Sequence, residues 1–301
     1  MRILTVIVLG LFLNANYLWA QAKKDSIPTP SLSLEKIAQA NQGESYVTLP
    51  VDIGNLEPLL FEANISPNFI IRQRKDSRLM AVLTAQVIMR MYDKPSNPIK
   101  TPSYLPQMTL YYLTGDKSAV DKIVLFGKLA HHSNGQDGDF YNPNGEINLK
   151  TGSFSTNFAE AGFLRSYYNE RFSTMLFLKS SLEMHPQSSM IEELYGKYSA
   201  LRLHNDFLVY KLPFGSNYRK EQTANFSMKI ETTWMLDNIN DWDLITTKRL
   251  NASLIFYYHP KFLEDIGFFV QFYHGSDYYN IYFQHQISSI RFGIMTEVLR
   301  F

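Results

Sequence analysis

A histidine and a serine two residues apart are the side chains of this sequence whose types and spacing most directly suggest chemistry. Successive side chains of a β-strand point to opposite faces, so the parity of Ile123, Leu125 and Leu129 continues to His131 and Ser133. A histidine beside a serine is the base–nucleophile pair of covalent acyl transfer. The same residues would also suit a polar strand end that enters an aqueous loop. Spacing alone favours this second interpretation.

The segments around this pair show the two-residue periodicity of β-strands. Between residues 225 and 235, Phe226, Met228, Ile230 and Trp234 share one face, and polar side chains occupy the other. With this segment and 267–272, about a dozen strands are predicted. The remaining segments are 68–74, 79–91, 105–113, 121–130, 154–168, 172–185, 199–211, 246–258, 279–286 and 289–301.

The length of these segments favours a membrane-spanning barrel over a soluble β-protein. Many have ten or more residues, whereas soluble strands average about 5–6 residues and bilayer-spanning strands need about 9–11. Tyrosines cluster near segment ends, and the chain ends on Phe301, as in outer-membrane barrels. We therefore predict an all-β fold, a transmembrane antiparallel β-barrel of about 12 strands over residues 67–301. A secreted soluble protein with long strands is the alternative.

The N-terminus has the pattern of a secretory signal peptide. Met1-Arg2 is positively charged, Ile3–Leu13 is apolar, and Ala20-Gln21-Ala22 offers a cleavage site. We therefore assign residues 1–22 to a signal peptide and residues 23–66 to a polar lead segment with one short helix near residues 34–40. A signal peptide and a barrel together predict a bacterial outer-membrane location.

Composition excludes several other classes of function. The chain has 29 Lys+Arg and 28 Asp+Glu, a net charge of +1, which gives no electrostatic basis for binding nucleic acid. It has no cysteine, so disulfides, thiolate-bound metals and thiol catalysis are excluded. Oxygen and nitrogen side chains must therefore carry any chemistry.

Longer motifs around the histidine and serine resemble one enzyme family. The string His131-His132-Ser133-Asn134-Gly135 resembles the H-x-S-N-G motif of the outer membrane phospholipase A family, which are calcium-dependent β-barrel phospholipases A1. Ser153-Phe154-Ser155-Thr156-Asn157 resembles its S-x-S-x-N motif. Three weaker matches are Ser96-Asn97-Pro98 with Tyr104-Leu105-Pro106-Gln107, Tyr273-His274-Gly275, and Arg291-Phe292-Gly293.

The resemblance implies a role for particular residues. It implies a catalytic triad of Ser133 as nucleophile, His131 as general base and Asn157 as the group that orients the histidine. It further implies that the N–H of Gly135 contributes to an oxyanion hole and that Ca²⁺ is the cofactor. The implied calcium ligands are the Ser153 hydroxyl, the Gln136 carbonyl and the Ser96 carbonyl of a second copy in a homodimer. The implied reaction is hydrolysis of acyl esters in phospholipids and lysophospholipids.

Two departures from the family pattern accompany the resemblance. The interval from Ser133 to Asn157 is 24 residues, longer than is usual, and Gln136 stands where an arginine is usual. The longer interval puts the role of Asn157 in doubt. His132 is expected to be a solvated rim residue, Asp137 and Asp139 are only a weak calcium motif, and Gln86 is a loose match to a dimer-interface residue. Two further alternatives are a barrel without catalysis, porin-like or structural, and a lipid A ester deacylase.

Overall fold

The computed structural model describes residues 32–169, 174–212, 226–260, 262–263 and 265–296 of the chain. The predicted signal peptide at residues 1–22 and the terminal aromatic residue Phe301 lie outside these ranges. No helix among the described residues is long and apolar enough to cross a membrane.

The described chain forms one antiparallel sheet that closes on itself as a barrel. Its strand segments are β1 (Tyr46–Thr48), β2 (Ile53–Gly54), β3 (Leu59–Ile65), β4 (Asn68–Ile71), β5 (Leu79–Tyr92), β6 (Ser103–Leu113), β7 (Lys122–Ser133), β8 (Ser155–Asn169), β9 (Thr174–Met184), β10 (Leu201–Leu212), β11 (Phe226–Met235), β12 (Leu250–Tyr258), β13 (Ile266–Ser276) and β14 (Gln286–Thr296). Segments β1 and β2 lie along β14, and β3 and β4 lie along β5. The segments therefore make a 12-strand wall, closed where β1 pairs with both β3 and β14.

The predicted fold class, a closed antiparallel β-barrel of about 12 strands, is confirmed. The wall begins earlier than residue 67, because β1 and β3 already pair into the sheet. The predicted strand at 279–286 is wrong: a 3₁₀ helix, Asn280–Tyr282, lies there instead. Tyr279 and Ile281 in this segment are buried, so its aromatic side chains fill space inside the barrel and do not alternate across a wall.

The two faces of the wall differ as a barrel in an apolar solvent requires. On β7, Ile123, Leu125 and Leu129 are exposed on the outside, whereas Val124 and Phe126 are buried inside. From β5 to β14 each described strand pairs with the next along most of its length, so the backbone groups of this part of the wall are hydrogen-bonded to neighbouring strands. This alternation fixes which side chains of β7 and β8 reach the outer surface.

A short helix closes one end of the lumen. Helix α1 (Leu34–Asn41) is capped by the Ser33 side chain, which accepts a hydrogen bond from the Lys36 N–H at 3.3 Å. Its buried face, Leu34, Ile37 and Ala38, packs against inward side chains at the ends of β5 to β10. We call this end of the barrel the plug end.

The opposite end, where β7 finishes and β8 begins, is closed by loops, and we call it the site end. An apolar cluster there joins the loop after β7, the loop after β9 and the loop after β13. Its most buried members are Phe154, Leu194, Tyr279 and Ile281, each at most 2% exposed. The lumen is therefore filled at both ends.

A buried charge network links the wall to the loop after β13. Arg90 donates to Glu62 at 2.7 Å and to both carboxylate oxygens of Asp277 at 2.7 and 2.9 Å. Arg291 donates to the other oxygen of Glu62 at 2.7 Å. Buried charges need such partners, because an unpaired one would be strongly destabilising. The network fixes the start of the loop that closes the site end.

Candidate active site

The predicted histidine and serine lie at the end of β7, on the outer surface. His131 is opposite Asn157 in the register of β7 and β8, and Ser133 is opposite Ser155. Both His131 and Ser133 are partly exposed, while His132 between them is buried inside the barrel. The parity of the apolar residues on β7 thus extends to the two polar side chains, as expected from the sequence.

A hydrogen bond joins two of the three predicted triad members. His131 Nδ1 lies 2.8 Å from Asn157 Oδ1, across the β7–β8 pair. The Asn157 amide nitrogen in turn donates to the Ser189 carbonyl at 3.2 Å. Between the described residues, no hydrogen bond joins Ser133 to His131. Catalytic hydrogen bonds often tighten only when substrate binds, so the shared face and two-residue spacing remain compatible with proton transfer.

The residue after the serine organises the backbone around it. Asn134 is 2% exposed, and its side-chain oxygen accepts from the N–H groups of Gln136 and Phe154 at 3.2 and 3.0 Å. Its amide nitrogen donates to the Gly152 carbonyl at 2.8 Å. One buried amide thus ties the start of the β7–β8 loop to its end. The sequence analysis assigned it no role, although its inward parity beside two outward polar residues was a usable signal.

Gly135 has a backbone conformation and a close neighbour that favour glycine at this position. Its φ of +67° lies in the left-handed region, and an added Cβ would come 3.2 Å from Tyr104 Cε2. No hydrogen bond between described residues uses its N–H. The glycine therefore presents a free backbone donor next to Ser133.

The predicted calcium ligands fall into two groups. Gln136 and Ser153 lie at the two ends of the β7–β8 loop, which Asn134 ties together, and Ser96 lies on a separate exposed turn after β5. A hydroxyl and backbone carbonyls are oxygen donors of the kind that Ca²⁺ prefers. Within the described chain, no hydrogen bond occupies the Ser153 hydroxyl or the Gln136 carbonyl, so both oxygens fit a hard cation.

The acidic residues of the same loop do not form a metal site of their own. Asp137 and Asp139 are exposed, and no group of three or more His, Asp or Glu side chains among the described residues could hold a metal ion. The weak Asp-Gly-Asp motif therefore has no geometric support.

The long interval before Asn157 is a folded loop and does not displace that residue. Gly138 N–H donates to the Thr151 carbonyl at 3.0 Å, and Ser153 N–H donates to the Gly138 carbonyl at 2.9 Å. The loop's apolar side chains, including Phe140 and Ile147, join the cluster that closes the site end. The extra residues therefore pack over the lumen, and Asn157 keeps its place opposite His131.

Two expectations about nearby polar residues are wrong. His132 is 6% exposed and packs edge to face on Phe154, with ring centroids 4.8 Å apart, so it is not a solvated rim residue. Gln86 donates to Asn64 at 3.0 Å and accepts from Gln107 at 3.3 Å, which directs its side chain into the lumen. Gln86 thus cannot contact a second barrel through the outer wall.

A polar cluster inside the barrel supports the back of the site. His185, just after β9, lies 2.9 Å from the Thr156 hydroxyl and 2.8 Å from Glu183. Burial lowers the pKa of His185, and a neutral ring can accept from Thr156 through Nδ1 while donating to Glu183 through Nε2. Thr156 precedes Asn157 and faces the opposite way, so this cluster fixes the strand that carries Asn157.

An apolar groove runs along the outer wall beside the His131–Asn157 pair. Its volume is about 750 Å³, and its lining is formed mainly by β4 to β8 and the start of the loop after β9. Leu83, Met108 and Leu129 border it, together with Pro186 and Ser189. The arrangement can hold a hydrocarbon chain against the outer surface, with a histidine at one side of it.

Comparison with known proteins gives matches of structure only. No protein-family model and no curated protein sequence matches the chain. The outer membrane phospholipase A of Escherichia coli superposes with a TM-score of 0.58 at 12% identity, and an active-site mutant of that protein with 0.59 at 12%. The outer membrane phospholipase dimer of Salmonella typhi with bound calcium gives 0.59 at 13%. Each match covers 89% of this chain and 100% of the other. The resemblance noted in the motifs therefore extends to the three-dimensional structure, and this chain has the fold of the outer membrane phospholipase A barrels.

Proposed function

We propose that the chain is an outer-membrane lipolytic enzyme that hydrolyses acyl esters of phospholipids and lysophospholipids. The observation that carries the proposal is the His131–Asn157 hydrogen bond, located with Ser133 on the outer surface beside an apolar groove. A substrate held in the bilayer would reach these residues from the side. The similarity of fold to the phospholipase barrels supports the same reaction class.

The proposed chemistry is a two-step acyl transfer. His131 Nε2 takes the proton of the Ser133 hydroxyl as its oxygen attacks the ester carbonyl. The alcohol of the lipid leaves with the proton from His131, and an acyl-serine remains. Water, deprotonated by His131, then releases the fatty acid and restores the serine. Asn157 keeps the imidazole in place, and the N–H of Gly135 donates to the oxyanion in both steps.

We further propose that Ca²⁺ is the cofactor and that two copies of the chain complete its site. The Ser153 hydroxyl and the Gln136 carbonyl would hold the ion, with the Ser96 carbonyl supplied by the second copy. A bound Ca²⁺ would supply positive charge close to the developing oxyanion. Of the related structures, the Salmonella typhi protein is a dimer with bound calcium.

The closed lumen argues against a function inside the barrel. Helix α1 fills the plug end, and the loop cluster fills the site end. A porin-like channel requires a continuous aqueous path, and in the described part of the barrel side chains of both clusters occupy the ends of the lumen. The outer surface is therefore the better candidate for function.

The test is fatty-acid release from phospholipid by the refolded, detergent-solubilised chain. The assay would be run with Ca²⁺, with excess chelator, and with the Ser133→Ala variant. We expect release that needs both Ca²⁺ and Ser133. A folded and dimeric protein that releases nothing would refute the phospholipase proposal, and lipopolysaccharide offered as substrate would then test lipid A ester hydrolysis.

A further inference from the structure

The segment Pro186–Met190, which we call the strap, lies against Asn157 at the outer surface. It follows β9 and contains a short 3₁₀ helix, Gln187–Ser189. Met190 pairs with Thr156, and the Ile191 N–H donates to the Ser155 carbonyl at 3.2 Å. The strap thus extends the sheet beside the start of β8, and the Ser189 carbonyl faces the Asn157 side chain.

We propose that the strap is a positioning element that sets the tautomer of His131 through the amide of Asn157. This inference rests on the function proposed above and names a part of the site that lies 32 residues from Asn157 in the sequence. Asn157 is the only side chain of the proposed triad that the strap contacts through a hydrogen bond in the described residues.

The orientation of the Asn157 amide is determined by which of the neighbouring atoms can donate a hydrogen bond. A backbone carbonyl can only accept, so the group facing Ser189 O must be the amide nitrogen of Asn157. Turning the amide over would bring two carbonyl oxygens together. The side-chain oxygen of Asn157 therefore faces His131 Nδ1, and because this oxygen can only accept, Nδ1 must carry the proton. Nε2 is then unprotonated and available as a base for Ser133.

The strap also explains why residue 157 is an asparagine and not an aspartate. Asn157 must donate on one side and accept on the other, which an ionised aspartate cannot do. The Asn157 amide nitrogen lies 3.2 Å from the Ser189 carbonyl oxygen. A carboxylate would put a charged oxygen in place of this nitrogen, facing the carbonyl oxygen. The neutral amide is thus the side chain that the strap requires.

Contacts remote from the reacting atoms hold the strap in shape. The Tyr195 hydroxyl donates to the Gln187 carbonyl at 2.7 Å, and the Ser189 N–H donates to the Pro186 carbonyl at 3.0 Å. Tyr195 is 39% exposed, so removal of its hydroxyl does not disturb a buried core. It therefore gives access to the strap without touching His131, Ser133 or Asn157.

The first experiment compares Asn157→Asp with the wild-type chain over a range of pH, using kcat for phospholipid hydrolysis. We expect the ratio of the Asn157→Asp kcat to the wild-type kcat at the same pH to fall as pH rises through the pKa of the new carboxyl, reaching about one tenth or less at pH 8. Below that pKa, the protonated carboxyl can donate to Ser189 as the amide does. An equal loss at every pH, or full activity at pH 8, would overturn the inference.

The second experiment uses Tyr195→Phe, with Tyr112→Phe as a matched control on an exposed tyrosine of the outer wall. We expect kcat to fall by about threefold to tenfold in Tyr195→Phe with KM unchanged, the factor expected for one hydrogen bond of ordinary strength. The control should keep the wild-type kcat. Equal kcat in both variants would overturn the inference.

The tautomer itself gives a measurement that does not need activity. Nitrogen NMR of labelled histidine in the folded wild-type chain should show the neutral ring of His131 protonated at Nδ1, assigned with His131→Gln. A ring protonated at Nε2 would overturn the positioning role even if the enzyme is active. A wild-type chain without Ser133-dependent hydrolysis but with the Nδ1–H tautomer would instead refute the proposed function and leave the strap's geometry supported.

Discussion

Replacing Asn134 with alanine should release the start of the β7–β8 loop from its end, next to the site. The variant removes three hydrogen bonds, those to Gln136 N, Phe154 N and Gly152 O. At about 1 kcal/mol net each, the loss is about 3 kcal/mol, because the Phe154 N–H and the Gly152 carbonyl lose a buried partner and the Gln136 N–H loses a partly buried one. If the whole loss acts on the geometry of Ser133 and Gly135, kcat would fall by about 100-fold.

Two measurements check this value. Urea unfolding of the refolded protein in lipid vesicles gives the free energy of unfolding, and fatty-acid release gives kcat. The matched control is Asn144→Ala, because Asn144 is an exposed residue of the same loop whose side-chain hydrogen bonds, among the described residues, join it to Glu146 in its own turn. We expect the control to match the wild type in both measurements. A loss of less than about 1 kcal/mol for Asn134→Ala with unchanged kcat would refute the reasoning, since three net hydrogen bonds could not then be acting there.

Three other predictions concern the His131–Asn157 pair, the lumen and the proposed dimer. His131→Ala should lower kcat by about 10⁴-fold or more, because it removes the base. Asn157→Ala should lower kcat only about tenfold, because it removes a single orienting hydrogen bond. A loss for Asn157→Ala larger than that for His131→Ala would contradict this ranking. The wild-type chain should show no steady ion conductance in a planar bilayer, because α1 and the loop cluster close the lumen, and an open channel would disprove this closure. Gln86→Ala should leave the sedimentation of the proposed dimer in the presence of Ca²⁺ unchanged. It should lower the free energy of unfolding by about 1–2 kcal/mol, because its two hydrogen bonds lie inside the barrel. A monomeric variant would show that the side chain acts at an interface.

Much of the wall was predictable because strand periodicity is a local property. The parity of Ile123, Leu125 and Leu129 correctly gave the outward direction of His131 and Ser133, since a strand cannot change face without a bulge. The prediction of a strand at 279–286 was wrong because it also rested on the local sequence alone. Its aromatic residues resemble a strand in composition, but Tyr279 and Ile281 are buried by loops far away in the sequence.

The support around the site depends on contacts that no local pattern reveals. The contact that the strap makes through Ser189 uses a backbone carbonyl, so the residue type at this position does not reveal it. The partner of Gln86 inside the lumen is Asn64, which lies on a strand that was placed outside the barrel from the sequence. The folded loop between Ser133 and Asn157 was read only as an insertion, because its apolar residues find their partners in two other loops.

The seam that closes the barrel has a consequence for how the molecule can be assembled. On the edge of β14 that faces away from β13, the described partners are the three-residue β1 and the two-residue β2, whereas β7 and β8 pair over most of their 12 and 15 residues. Because β1 follows α1 directly, the helix must already be inside when this short seam joins the two ends of the wall. We therefore expect the seam to be the last part of the sheet to pair and the first to separate, so that the barrel closes around an N-terminal helix that already lies in the lumen.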